Sequence, residues 1–550
     1  MYGIAMDLGT SGIRAQLIDL DTEETIKTVL TMRHPLPGGN VIDQLDFAIQ
    51  LGEDVATEII QDTVEEIIDN FNIDLLEIKK LSVCGNPIQL SLIQNTEIRD
   101  LAYAGESMQK KLGVENVKRD AKVVPANEVF KNLNLPNCTI IIPPSIQHEV
   151  GADALAMMIE TDFMNQKEPS MVTDYGTNAE MALKVGDRII TGSAAAGPAI
   201  EGQGINCGML AGPGAITDVN PEGNYWRLTV LDDSMLERKG DLVDPVAGEV
   251  IEQSETRAIG ITGTGMISLL SVALETGLIK TMPKLPDGRL ILGGGIEITE
   301  DDVREAGKAV GAIRASHLTM LMEAGLNFKD LENMYMTGAS GTYVDADKAR
   351  RLGICPGSAK NIVQFGNTSI SLAKELILNE SKLDEVVEFA HKIETDHLMM
   401  AKSEMFKLIY SCEFSYWTQG MPLEMYDQML KSFNIQGLPK LAENPRIEKQ
   451  VTKDINDLGK ESVQVLRNLG IVIERPIKNC SFCYICEDKC PEKALKIVSY
   501  KGDVYQVHDS QRCLGVSCKR CVNGCPKKAI QFKNVKVLST HESPFEIEQA

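Results

Sequence analysis

The sequence predicts a multidomain α/β protein: a two-domain core of strands alternating with helices, then a helical connector, then a small α+β module rich in cysteine. Three observations carry this. A strand–turn–strand segment occurs twice, each time as an apolar run, Asp, one residue, Gly-Thr and a returning strand, with the two acids, Asp7 and Asp174, 167 residues apart. Eight of the 13 cysteines fall within residues 480–525. At 550 residues the chain far exceeds the roughly 150 of an average domain. A composition 43% apolar and 24% charged excludes a collagenous or largely disordered chain.

The elements follow in order. Gly3–Asp7 and Ile13–Ile18 read as strands around a Gly-rich turn. Leu45, Ile49, Val55, Ile59, Val64 and Ile67 recur near helical spacing, predicting one helix over about 45–70. Residues 81–85 and 139–142 read as buried strands, and 170–174 and 179–185 repeat the opening. Thr299 before Glu300-Asp301-Asp302 resembles a helix N-terminus, opening a long helix to about Gly325. Residues 368–435 read as mostly helical; 436–473 read as a lysine-rich connector with a second helix near 447–469. The expected divisions are 1–165, 166–420, 421–473, 474–535 and a tail at 536–550.

The cysteines carry the sharpest signal. Cys480, Cys483, Cys486 and Cys490 form C-x2-C-x2-C-x3-C-P; Cys513, Cys518, Cys521 and Cys525 form C-x4-C-x2-C-x3-C-P. A shift of 35 residues superposes the last three of each run and lays Lys493-Ala494-Leu495 on Lys528-Ala529-Ile530. This is the pattern of a duplicated bacterial-type ferredoxin holding two [4Fe–4S] clusters, in which three closely spaced thiolates wrap one cubane and the fourth comes from the other half. Cys480, Cys483, Cys486 and Cys525 are therefore assigned to one cluster, and Cys513, Cys518, Cys521 and Cys490 to the other. Two structural zinc sites would instead use paired C-x2-C knuckles. Residues 474–533 hold 12 Lys and Arg against 6 Asp and Glu, so this module is basic while the rest of the chain carries −29 of the total −23. These lysines balance cluster charge or form a docking face for an acidic electron partner.

Asp7-x-Gly9-Thr10-Ser11 and Asp174-x-Gly176-Thr177-Asn178 each end a strand in an acid followed by a Gly-Thr hairpin. The backbone N–H groups and hydroxyls of such turns cradle phosphate oxygens, and the acids hold Mg²⁺ through its waters. Met334–Thr337 runs as a strand into Gly338-Ala339-Ser340-Gly341, a turn that lets a base or ribose approach the backbone. Together these resemble the phosphate-1, phosphate-2 and adenosine motifs of the actin, Hsp70 and sugar-kinase superfamily. The resemblance covers about residues 1–375 and implies two α/β domains closing on ATP.

The stretch from Gly192 to Gly202, with Cys207-Gly208-Met209, Pro213-Gly214-Ala215-Ile216, Val150-Gly151-Ala152-Asp153 and Gly366-Asn367, resembles the ATP-dependent reductive activators of corrinoid proteins. The opening Met1–Gly12, the loop His34–Asn40 and the C-terminal two-cluster module narrow this to the activators of methylamine methyltransferase systems in methanogenic archaea. That resemblance implies one-electron reduction of inactive Co(II) to Co(I). The implied partners are methylamine-system corrinoid proteins and a low-potential electron donor. Open alternatives are a small-molecule kinase with a redox sensor, an activator of a radical dehydratase, and an actin-like assembly protein. The net charge of −23 argues against nucleic-acid partners. The opening residues lack a secretion signal, and no apolar run reaches 18 residues, so a cytoplasmic protein without membrane spans is expected.

Among single residues, Asp153 is a candidate for positioning the attacking water, and Lys308 and Arg314 are candidates for nucleotide contact. Tyr416 and Trp417 read as core before partner surface, Cys207 as a buried inert thiol, and His391 and His397 as structural or surface residues on one helix.

Overall fold

The first Asp-x-Gly-Thr segment folds back on itself because β1 (Tyr2–Leu8) and β2 (Ile13–Asp19) pair antiparallel, with Asp7 opposite Arg14 and Leu8 opposite Ile13. β3 (Thr25–Thr31) returns beside β2. The helix expected over 45–70 is two helices, α1 (Val41–Leu51) and α2 (Glu53–Asp69). They break at Gly52, whose φ of +115° is open to glycine and strained for other residues. β4 (Ile78–Gly85) then runs parallel to β1, followed by α3 (Pro87–Ile93), β5 (Lys122–Pro125) and β6 (Thr139–Ile142). The computed structural model describes residues 1–539 apart from 103–108, 112, 116, 131–132, 147–149, 195, 197–198, 200–201, 203, 380, 394, 462, 467–470, 491, 516–517 and 533–534. Most of the expected tail, and Ala195, Gly197, Pro198, Ile200 and Glu201 of the Gly-rich stretch, lie outside the described residues.

The second opening repeats this. β7 (Ser170–Tyr175), β8 (Ala179–Val185) and β9 (Arg188–Ala194) form an antiparallel meander. A five-stranded sheet between Ala215 and Ile261 is inserted before the long helix α4 (Glu300–Glu323). Thr299 caps α4 in a reciprocal box with Asp302. β10 (Asn333–Thr337), α5 (Gly338–Tyr343) and β11 (Asn361–Gln364) follow. The strand order β3-β2-β1-β4-β6 of the first sheet is matched by β9-β8-β7-β10-β11 in the second, antiparallel in the first two pairings and parallel in the last two. The repeat seen in two short motifs thus extends through both sheets.

The connector differs from expectation. Leu423–Ser432 is a helix, but among the described residues of 436–473 there is none; instead Arg446–Lys449 adds a parallel edge strand to β11, and Gln464–Leu466 adds one to β3. Thr395–Leu398, expected as helix, is likewise an edge strand beside β9, where His397 Nδ1 lies 3.0 Å from Thr191 Oγ1. The compact units are discontinuous: 1–152 with 372–387 and 458–550 form one, and 153–371 with 388–457 the other. The cysteine module therefore folds as part of the first unit.

In the second unit, α4 packs against α6 (Glu404–Gln419) so closely that a Cβ on Gly307 would lie 2.7 Å from the Trp417 side chain. Between them Glu413 is fully buried and receives donors from three side chains: Arg314 (Nη2, 2.7 Å), Trp417 (Nε1, 3.1 Å) and the Tyr426 hydroxyl. Arg314 also donates to the Leu352 carbonyl and lies over the Tyr416 and Tyr426 rings. This corrects the expectation that Arg314 contacts nucleotide: its guanidinium is committed to the core, as is the fully buried Trp417. Glu413→Ala leaves the Arg314 charge buried and unpaired, and is expected to cost about 3–5 kcal/mol of stability. Urea unfolding followed by tryptophan fluorescence reads this directly; a loss below about 1 kcal/mol would remove Glu413 from this role.

Candidate nucleotide site and cysteine module

The first hairpin rests on buried polar groups. Asp7 is only 5% exposed, and Arg14 Nη1 lies 3.5 Å from its Oδ2. Gly9 closes the turn where a Cβ would approach the Gly12 carbonyl to 2.9 Å. The Thr10 hydroxyl accepts from Asn86 Nδ2 (3.2 Å), and the Thr10 carbonyl accepts from Gln44 Nε2 (2.8 Å). Asn86 is also the N-cap of α3, its Oδ1 accepting from the Ile88 and Gln89 N–H groups. With both Thr10 oxygens engaged from within, the turn is held from inside while Thr10 and Ser11 remain half-exposed.

The second hairpin is built the same way. Asp174 accepts from the Thr337 hydroxyl (3.2 Å) at the end of the neighbouring strand β10. Its other oxygen would lie 2.5 Å from a Cβ on Gly338, which has φ +80°, so glycine here is required twice over. Gly176 spans the turn and Thr177 is buried beneath it, with Asn178 half-exposed. The segment Gly338-Ala339-Ser340-Gly341, expected as a turn, is the first part of the short helix α5. Gly338 N–H donates to the Gly366 carbonyl and Asn367 N–H to the Asp454 carbonyl, so the Gly366-Asn367 motif sits beside this element.

Of the remaining candidates, Asp153 stands in the first turn of the helix Ala152–Ile159 and accepts from the Ala154 N–H. Lys308 is half-exposed on α4, its Nζ 2.6 Å from Glu305 one turn earlier, and among the described residues no hydrogen bond or ion pair joins it to the second hairpin. Cys207 is half-exposed rather than buried. Sequence reasoning missed Asn86, Gln44 and Thr337. Asn86 had a signal, because Gly85-Asn86-Pro87 after an apolar run is a strand end followed by a helix cap with proline at the first helical position.

The cysteine module is a four-stranded sheet carrying two short helices, Ile485–Asp488 and Arg520–Gly524, that pack together. The 35-residue repeat reappears in its backbone. Tyr484 and Lys519 precede the helices with positive φ, and Lys493 and Lys528 share that conformation after them. Ala494 N–H donates to Cys490 Sγ (3.2 Å) and Ala529 N–H to Cys525 Sγ (3.3 Å). Burial pushes Cys513 up to about 12, and Cys521, Cys490 and Cys518 add to that rise. Burial likewise raises Cys486 to about 11, with Cys525 contributing. Cys490 thus lies near Cys513 and Cys521, and Cys525 near Cys486. Cys480 Sγ accepts from the Phe482 N–H, and Cys483 is exposed between the exposed rings of Phe482 and Tyr484. Among the described residues no three Cys, His, Asp or Glu side chains meet closely enough for a single metal ion.

Residues 168–427 match the family model described as the C-terminal domain of RACo, the ASKHA domain, and residues 2–166 match the RACo middle region. The Co(II) methylated amine-specific corrinoid protein reductase of Methanosarcina barkeri is 63% identical over 517 residues, covering 94% of this chain and 96% of that relative. The corrinoid activation enzyme RamQ of Eubacterium limosum is 26% identical over 391 residues, 65% of this chain and 60% of that protein. A solved reductive activator for corrinoid, iron-sulfur protein superposes with a TM-score of 0.63 at 22% identity, over 78% of this chain and 68% of its own; this shows the fold. The chain belongs to the RACo family of corrinoid-protein reductive activators.

Proposed function

We propose that the chain is an ATP-dependent reductive activator that returns inactive Co(II) corrinoid proteins of methylamine methyltransferase systems to Co(I). One observation carries the reading: a phosphate-type hairpin with a buried strand-end aspartate and an eight-thiol module fold within one compact unit. An ATPase fold alone suits many functions; joined to thiols in this arrangement, it suits nucleotide-driven electron delivery. Reduction of Co(II) is uphill from most donors, each ~59 mV costing about 1.4 kcal/mol per electron, and ATP offsets such a gap.

The residues divide the work. Gly9, Thr10 and Ser11 in the first hairpin, and Gly176, Thr177 and Asn178 in the second, offer backbone N–H groups and hydroxyls to phosphate oxygens. Asp7 and Asp174 would hold Mg²⁺ through its waters, since that ion dehydrates reluctantly. Gly338, Ala339, Ser340 and Gly341 let the nucleoside approach closely, Lys308 lies on the helix preceding them, and Asp153 orients the attacking water. The thiol set fits two [4Fe–4S] clusters, Cys480, Cys483, Cys486 and Cys525 for one and Cys513, Cys518, Cys521 and Cys490 for the other. When bound, such clusters supply one-electron transfer. Burial works against the Cys525 thiolate, but backbone N–H donors from Ala529, Ile530, Lys527 and Lys528 hold that thiol below its usual range. Exposure of Cys483 leaves one end of the module open to a partner protein or to the low-potential donor.

Two outcomes test this reading. The intact protein should hold about eight iron atoms, and Cys490→Ala and Cys525→Ala about four each with different clusters missing by EPR; loss of the same signal in both variants would contradict the crossed ligation. Asp7→Ala, with full iron content, should lose ATP-dependent Co(II) reduction by about 100-fold or more. Retention of the wild-type rate would remove Asp7 from the nucleotide site.

A further inference from the structure

Beneath the first hairpin a chain of buried amides runs to the cysteine module. Gln44 Nε2 donates to the Thr10 carbonyl (2.8 Å), and Gln89 Nε2 donates to Gln44 Oε1 (2.6 Å). His34 Nε2 lies 3.0 Å from Gln89 Oε1, while His34 Nδ1 accepts from the Leu36 N–H (3.1 Å). With Nδ1 accepting, the ring proton sits on Nε2, and every bond in the chain points toward the hairpin. Gln44 and Gln89 are fully buried and His34 nearly so. Burial holds the His34 ring well below its ordinary range, to about 4, so this polarity is constant at neutral pH.

The far end meets the module. His34 opens the loop Pro35-Leu36-Pro37-Gly38-Gly39, in which two prolines limit slack. Gly38 N–H donates to the Cys513 carbonyl (3.1 Å), and Arg33 Nη1 donates to the Gln511 carbonyl (2.5 Å). Asp43, adjacent to Gln44 on the first turn of α1, accepts from the Gly39 N–H (3.1 Å). A Cβ on Gly515 would lie 3.2 Å from Gly38 Cα and 3.3 Å from Asp43 Cβ. One turn of helix therefore touches the phosphate hairpin through Gln44 and the cluster loop through Asp43.

We propose that Gln44, Gln89 and His34 are positioning residues that couple nucleotide occupancy of the first hairpin to the redox state of the cluster held by Cys513. This rests on the function proposed above. A phosphate that draws on the Thr10–Ser11 turn shifts the Thr10 carbonyl, and an amide chain buried away from bulk solvent must move with it. Coupling of this kind is reciprocal, so reduction of the module changes nucleotide affinity by the factor with which nucleotide favours reduction.

The test uses the full-length, iron-loaded protein and measures affinity for Mg²⁺ with a non-hydrolysable ATP analogue, oxidised and after dithionite reduction. The wild type is expected to differ between the two states by about fivefold or more. Gln89→Met touches neither loop, keeps side-chain length and removes both amide contacts; it should bring the ratio to about one. If that variant loses iron or fails to fold, Gln89→Glu is measured instead; it keeps an acceptor for His34 while placing an oxygen against Gln44 Oε1, and the same collapse is expected. A merely structural role would weaken binding equally in both states and leave the ratio unchanged. A wild-type ratio of one, or an unchanged ratio in the variant, would overturn the coupling. No analogue binding in either state, or no bound iron, would instead contradict the proposed function.

Discussion

Both sheets are organised around a central strand with an aspartate at its second-last position, and the crowding at that point constrains most of what surrounds it. The strand is flanked antiparallel on one side and parallel on the other. Its carboxylate therefore emerges where a hairpin and the following parallel strand both terminate. The neighbour must then be small. Gly338 tolerates the Asp174 carboxylate at a distance no Cβ could, and Gly85 meets the Leu8 carbonyl the same way beside β1. Asn86 and Thr337 complete the arrangement with side-chain donors. Two Gly-Thr hairpins, each beside a fixed carboxylate, follow from that single packing constraint.

The late part of the chain completes the sheets that the early part begins. Arg446–Lys449 and Gln464–Leu466 each become the outermost strand at one edge of a sheet, one in each unit, and the charged Arg-Ile-Glu-Lys strand suits such an edge. The second of these leads into the cysteine module, whose loop at Cys513 is anchored by Gly38 and Arg33. The module is tied to the loop before α1 by a backbone hydrogen bond from Gly38 and a side-chain bond from Arg33, and under the function proposed above that attachment would be the route by which ATP acts on the clusters.

Much of this was legible in the sequence, for identifiable reasons. The hairpins, the capped helix at Thr299 and the cysteine repeat are local patterns in which spacing alone dictates geometry. The single helix expected over 45–70 failed at Gly52, where apolar periodicity continues across a backbone break. The connector helix failed because Arg-Ile-Glu-Lys at 446–449 is a charged edge strand, paired on one side only and lacking the apolar alternation of a core strand. Arg314 was misread because its partner, Glu413, lies 99 residues away. Gln44, Gln89 and His34 lie on three separate segments and share no motif, so only the fold brings them together.

The central claim is that nucleotide acts through this architecture on electron transfer to cobalt. The most direct measurement combines the purified iron-loaded protein, a Co(II) methylamine-system corrinoid protein and a low-potential reductant, and follows the Co(I) absorption. The account predicts Co(I) formation with MgATP and little without it. Equal Co(I) formation in the absence of nucleotide would contradict it.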